Sequence, residues 1–189
     1  EDGTLIPVAS IAKNIAELGG VAVICHPRDI GDPWCCGCRW EHLDMMPGNA
    51  MAVEIWNGIW NDYNAEAVDL WHGWLNEGHR IPATSGTDHH GQQHHFDAAQ
   101  RGRAAANVVR ADAFTREAIL AGLKHGRSYL SAGPRLSVEA AGDDGASYGI
   151  GDQLPGGATA ELTVRWEALP DGAWVDLVVD GQRERLSTE

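Results

Sequence analysis

The first apolar positions of the chain recur every three or four residues, which predicts an amphipathic helix over residues 8–18. These positions are Val8, Ile11, Ile15 and Leu18. Gly19 and Gly20 then end the helix, and the continuous apolar run over 21–25 predicts a strand buried on both faces, as in a parallel sheet. Within that strand, Cys25 is expected to be a small buried side chain.

The alternation of helix and strand patterns continues to about residue 132. Apolar runs over 50–56 and 81–85 predict two further strands, and residues 62–77 between them predict a helix that ends at Gly78. A short strand over 107–110 and a helix from its N-cap Thr115 to Lys124 follow. The inner face of the helix over 62–77 is expected to consist of Val68, Trp71, Trp74 and Leu75. This order is typical of an α/β fold with parallel strand pairing.

Short alternating patterns replace the helix patterns from about residue 133 onward. Asp180-Gly181, between two of these patterns, predicts a hairpin with a two-residue turn. We therefore predict two parts, an α/β part over residues 1–132 and an appended antiparallel β module over residues 133–189 that resembles a small sandwich.

Composition limits the classes of partner. The chain has 189 residues, 43% of them hydrophobic, and a formal net charge of −13, so it can bury a core but repels the phosphates of nucleic acids. It contains no apolar run of about 18 residues, which predicts no membrane-spanning helix. Its opening, Glu1-Asp2-Gly3, is typical of a fragment without a leader, so the sequence indicates no cellular compartment.

Polar side chains that suit a metal follow two of the predicted strands. Asp88 and His90 come just after the strand over 81–85, and His26 follows the strand over 21–25. Carboxylates and neutral imidazoles are common ligands of catalytic divalent metals. Pro27 is expected to hold His26 extended, and an extended chain would turn Asp88 and His90 to the same side. The alternative for His26 is a core histidine that bonds a backbone carbonyl. The alternative for Asp88 and His90 is a carboxylate that caps a backbone turn next to a solvent-exposed histidine.

Other polar residues near these strand ends have candidate supporting roles. Glu54 is costly in its apolar strand unless it is paired, so we expect it to support a ligating histidine or to bond Asn57. His89 is a candidate general acid, and Arg28 and Arg101 are candidates for binding an anionic substrate; the alternative for each is plain surface exposure.

Three cysteines crowd into one predicted loop, Cys35, Cys36 and Cys38, with His42 four residues beyond the last. A structural zinc site usually needs a second pair of ligands, which this sequence lacks, so we expect a disulfide or free thiols here and keep a zinc knuckle as the alternative.

Three segments resemble the later motifs of the PHP superfamily (polymerase and histidinol phosphatase). They are GGVAVICHP over 19–27, VEIWNG over 53–58 and SGTDHH over 85–90. The segment GRSYLSAGP over 126–134 is similar to the CehA/McbA-like branch of metallohydrolases, which carries an additional β domain at this point.

The resemblance implies a distorted seven-stranded (β/α) barrel that binds two or three ions of Zn, Mn or Fe and hydrolyses esters, commonly phosphoesters. It transfers metal ligation to His26, Asp88 and His90. We also expect Asp88 and His89 to be the catalytic residues. The opening His-x-His motif of the family has no counterpart in this sequence. We therefore expect the other half of the barrel to come from the same protein or from another chain, and this piece alone to be inactive. The alternative is a non-catalytic binding or docking module on an incomplete barrel.

Overall fold

The computed structural model describes residues 6–31, 33, 39–40, 52–88 and 104–186, and all statements below concern these residues. They form a mixed α/β structure of three helices and several small sheets, as the sequence predicts at this coarse level. The helices are α1 (Val8–Glu17), α2 (Asp62–Asn76) and α3 (Arg116–Lys124). None of the described sheets closes into a barrel. None of the described helices has the length and apolarity needed to cross a membrane.

Three parallel strands form the central sheet in the order β1-β2-β3. They are β1 (Val23–Ile24), β2 (Ala52–Asn57) and β3 (Ala83–Gly86). This confirms the predicted parallel pairing, and it places the carboxyl ends of all three strands at one edge of the sheet. The core lies between this sheet and the helices α1 and α2, and its fully buried side chains include Ile24 and Val53.

The first strand differs from its prediction. β1 spans only two residues, Val23 is 37% exposed, and Cys25 lies beyond the strand with an exposed side chain. The expectation of a strand buried on both faces, with Cys25 inside it, is therefore wrong. The physical reason is that β1 has β2 as its only described neighbour, and the chain turns away immediately afterwards at His26.

The helix α2 follows its prediction closely, with one exception. Asn61 caps it by accepting a hydrogen bond from the backbone N of Asn64 at 3.1 Å, and Trp74 packs into the core. Leu75 was predicted on the inner face but is 38% exposed. Successive residues of an α-helix are about 100° apart around the helix axis. When Trp74 faces the core, Leu75 therefore lies on the flank of the helix.

A second pair of strands, β4 (Ala106–Val109) and β5 (Ser128–Ser131), is antiparallel. The side chain of Asn107 joins this pair to the central sheet, since its amide accepts from Ser85 N at 2.9 Å and donates to Ser85 O at 2.8 Å. The predicted cap of α3 is confirmed, because Thr115 Oγ1 accepts from Ala118 N at 3.2 Å.

The remaining strands are all antiparallel, as predicted for the region after residue 133. They are β6 (Arg135–Gly142), β7 (Ser147–Gly149), β8 (Ala160–Glu167), β9 (Val175–Val179) and β10 (Gln182–Leu186). A three-stranded sheet has the order β7-β6-β8, and β9 and β10 form a separate hairpin. Asp180 and Gly181 form the two-residue turn of that hairpin with φ angles of 50° and 75°, which confirms the turn prediction. The sandwich-like arrangement and the domain boundary stay predictions.

Candidate functional site

A buried carboxylate connects the ends of the three parallel strands. Glu54, in β2, is 7% exposed, and its Oε2 accepts from the backbone N of His26 at 2.8 Å and from Asn57 Nδ2 at 3.3 Å. Its other oxygen, Oε1, would lie 2.0 Å from a Cβ built on Gly86. The carboxylate therefore lies between His26, two residues after β1, and Gly86, the last residue of β3, and only glycine fits beside it.

The turn between β2 and α2 is held by a second buried polar residue, Asn64. Its Oδ1 accepts from Asn57 N at 2.9 Å, and its Nδ2 donates to the carbonyl oxygens of Asn57 and Ile59, both at 3.2 Å. A buried amide that satisfies three backbone groups fixes the path of the chain. Asn64 thereby positions Asn57 beside Glu54.

His26 lies in a turn rather than in the extended conformation predicted from Pro27. Its φ is 31°, and its carbonyl accepts from Asp29 N at 3.1 Å. The long-range hydrogen bond from His26 N to Glu54 stabilises this conformation against the preference imposed by the following proline. The ring atom Nδ1 is buried and has no hydrogen-bond partner in the structure of the described residues.

Asp88 also lies in the left-handed region, with a φ of 53°. The premise that the chain is extended at Asp88 is therefore wrong. The alternation of side chains along an extended strand then gives no reason to expect Asp88 and His90 on the same side. Asp88 nevertheless comes two residues after β3 ends, at the same edge of the sheet as the end of β1. The pKa of the Cys25 thiol is raised above its usual value, first by partial loss of hydration, then by the negative charge of Glu54 and then by that of Asp88.

A small polar cleft lies at this edge of the sheet. Four residues predicted for the site line it together: His26, Arg28, Glu54 and Asn57. The rest of the described lining is Asp29, Asn61, Tyr63, Asn64 and Ala67. Asp88 is close to the same strand ends but does not line the cleft.

Several predicted residues lie outside the described residues, namely His89, His90, Arg101 and the cysteine loop with Cys35, Cys36 and Cys38. Within the part that the structure describes, no group of three or more His, Cys, Asp or Glu side chains is arranged to hold a metal ion.

Two contributors to this site escaped the sequence analysis, Asn64 and Gly86. Asparagines at 57, 61 and 64, directly after a strand, were a visible signal for a polar turn at the start of a helix. Gly86 lies within the segment over 85–90, but its role depends on a side chain 32 positions earlier in the chain. No local pattern reveals that contact.

Comparison with family models, with curated proteins and with solved structures finds no match for this chain.

Proposed function

We propose that this chain is part of a metal-dependent hydrolase that cleaves a phosphoester or related ester, with His26, Asp88 and His90 as metal ligands. The observation that carries the proposal is the Glu54 carboxylate, which draws the ends of β1 and β3 together. Side chains that follow neighbouring parallel strands then share one rim, where α/β enzymes commonly bind their ligands.

Two of the described residues have the chemistry to bind a divalent ion. The Nδ1 atom of His26 is buried without a described partner, which is costly unless a donor or a cation satisfies it. A histidine nitrogen and the carboxylate of Asp88, which follows the neighbouring strands at the same edge of the sheet, are suitable ligands for Zn, Mn or Fe. When bound, such ions would activate a water molecule and polarise the oxygen of the substrate.

The chain's own residues supply the positioning. Glu54 holds the backbone of His26 and bonds Asn57, so it supports a ligand without contacting the imidazole in the described hydrogen bonds. Arg28 lines the same cleft and would bind the anionic group of the substrate. We propose the same role for Arg101, and that of a general acid for His89.

The fold proposal follows the resemblance of the sequence to the PHP superfamily, CehA/McbA-like branch. We propose that the central sheet is the C-terminal part of a distorted (β/α)7 barrel and that residues 133–189 are its additional β module. The remaining ligands of a site for two or three metal ions would then come from the other half of the barrel, in the same protein or in another chain.

The test compares His26→Ala and Asp88→Ala with His79→Ala in the full-length protein. His79 precedes β3 at the opposite end of the sheet and contacts Glu77 at 3.7 Å, so it serves as the matched control. We expect each site variant to lose metal, with affinity weakened at least about tenfold, and to lose hydrolysis of an activated phosphodiester. The control should keep both.

Unchanged metal content and turnover in both site variants would contradict the proposal. A wild-type protein whose unfolding temperature does not respond to added Zn or Mn would favour the alternative, a non-catalytic binding module.

A further inference from the structure

A large cavity lies away from the polar cleft, between α2, the central sheet, β5 and the turn that follows β7. It has a volume of about 780 Å³, within the range of pockets that hold small organic molecules. Its walls are mainly apolar and aromatic, and the principal side chains are Trp56, Trp71, Leu75, Ile81, Tyr129 and Leu130.

Two cations line this cavity without an acidic partner. Arg80 bonds the side-chain oxygen of Gln153, and Lys124 Nζ donates to Gly19 O at 3.0 Å. Neither forms an ion pair with an acidic side chain in the described part of the chain. This is unusual in a protein with a formal net charge of −13, where acidic residues outnumber basic ones by 27 to 14.

One acidic residue, Asp152, also lines the cavity, but its charge is already balanced. Its carboxylate oxygens lie 4.0 Å from Arg110 Nη1 and 4.0 Å from Arg127 Nε. The charges of the described lining that no acidic side chain balances are therefore those of Arg80 and Lys124, which favour a negatively charged group.

We propose that this cavity binds an apolar organic anion, a carboxylate or sulfonate with an aliphatic chain or aromatic rings. The apolar part would contact the tryptophans and Leu75, and the anionic head would lie near Arg80 and Lys124. This inference does not depend on the proposed hydrolase activity, because none of these side chains lines the polar cleft.

The test uses the fluorescent probe anilinonaphthalene sulfonate, an aromatic anion, with energy transfer from tryptophan as the readout. Saturable binding to the folded chain is expected, with displacement by decanoate and much weaker displacement by decanol or decyltrimethylammonium. The double variant Arg80→Glu/Lys124→Glu should weaken decanoate binding about tenfold or more and change the response to decanol by less than about twofold.

A pair of matched variants separates this cavity from other apolar surface. Leu75→Glu alters an accessible cavity residue and should abolish probe binding, whereas Leu162→Glu alters a 48% exposed residue of β8 and should leave it unchanged. Circular dichroism checks that both variants keep the fold.

Four outcomes would overturn the proposal. The first three are the absence of saturable binding, equal displacement by decanoate and decanol, and an equal loss of probe binding in Leu75→Glu and Leu162→Glu. The third would show that probe binding is not specific to the cavity. The fourth is the disappearance of probe binding at protein concentrations where the chain self-associates, which would mean that a second copy of the chain covers the cavity.

Discussion

The Glu54 side chain is the residue on which the candidate site depends most. A buried carboxylate is stable only when hydrogen bonds replace its lost hydration. Glu54 receives two such bonds, from His26 N and Asn57 Nδ2, and Gly86 leaves room for the second carboxylate oxygen. The close approach of the Glu54 carboxylate to the end of β3 therefore requires a residue without a Cβ at position 86.

Gly86→Ala tests this close approach. The new Cβ would lie 2.0 Å from Glu54 Oε1, so the carboxylate or the end of β3 must shift. We expect the free energy of unfolding to fall by about 1–3 kcal/mol, as in other overpacked sites. Urea denaturation measures the change. Gly73→Ala is the control, since it meets no atom within 4 Å in α2 and should be neutral or stabilising. Equal effects of the two substitutions would contradict the prediction.

Asn64→Ala tests the polar turn that positions Asn57. The substitution leaves the backbone N of Asn57 and two carbonyl groups without their partner. Unsatisfied buried groups cost about 1–3 kcal/mol in all, which should lower the unfolding temperature by several degrees. Differential scanning calorimetry measures this. Asn14→Ala on the exposed face of α1 should change the temperature little, and a similar drop there would argue against a special role for Asn64.

At the scale of elements, the sequence predicted what depends on local pattern. The helices α1, α2 and α3, the strands β2 and β3 and the Asp180-Gly181 turn all follow from periodicity, caps and turn residues. It failed where a long-range contact overrides local preference. His26 turns despite Pro27 because Glu54, 28 residues later, accepts its N–H.

In the candidate site, too, the residues that follow a local pattern were predicted, and the residue whose role depends on a long-range contact was not. His26, Arg28, Glu54 and Asn57 were predicted because polar residues at the ends of parallel strands must share an edge, and they line one cleft. Gly86 was not singled out, because its role is visible only when β2 and β3 are side by side.

The hairpin of β9 and β10 carries a cross-strand charge pair that makes a pH prediction. The hydrogen bond from Arg185 Nε to Asp176 Oδ1, at 2.5 Å, lowers the pKa of Asp176 below its usual value of about 4. A lowered pKa means that the unfolded state binds the proton more readily. The stabilisation is therefore present above about pH 4 and is lost as the pH falls through the lowered pKa.

An NMR titration of the Asp176 carboxyl carbon measures this pKa directly. We expect Arg185→Gln to raise the midpoint toward the usual aspartate value. Arg183→Gln should raise it less, because Arg183 Nη1 lies 3.9 Å from the carboxylate. A midpoint unaffected by Arg185→Gln would show that the hydrogen bond does not persist in solution.

At the scale of the whole molecule, one tightly packed turn of the β module lies against the α/β part. Gly151, after β7, has a φ of 84°, and a Cβ there would lie 2.7 Å from Arg127 N and from Gly126 C and O. Asp152 then faces Arg110 and Arg127. Residues of this turn and residues of the α/β part together line the apolar cavity, so the turn couples the two parts of the chain.

Gly151→Ala tests that coupling, because the substitution acts on backbone that cannot move aside without separating the two turns. Strain from the positive φ and from the contact should together cost about 2–4 kcal/mol. Urea unfolding followed by tryptophan fluorescence measures the loss. Gly156→Ala is the control: it lies in the same connection between β7 and β8, meets no atom within 4 Å and should leave stability unchanged.

If the two parts unfold as one unit, Gly151→Ala shifts the whole unfolding transition to lower urea concentration. If the turn is the main link between them, the transition splits instead, with the β module unfolding first. A single transition unchanged from that of the wild type would mean that the turns are not in contact in solution.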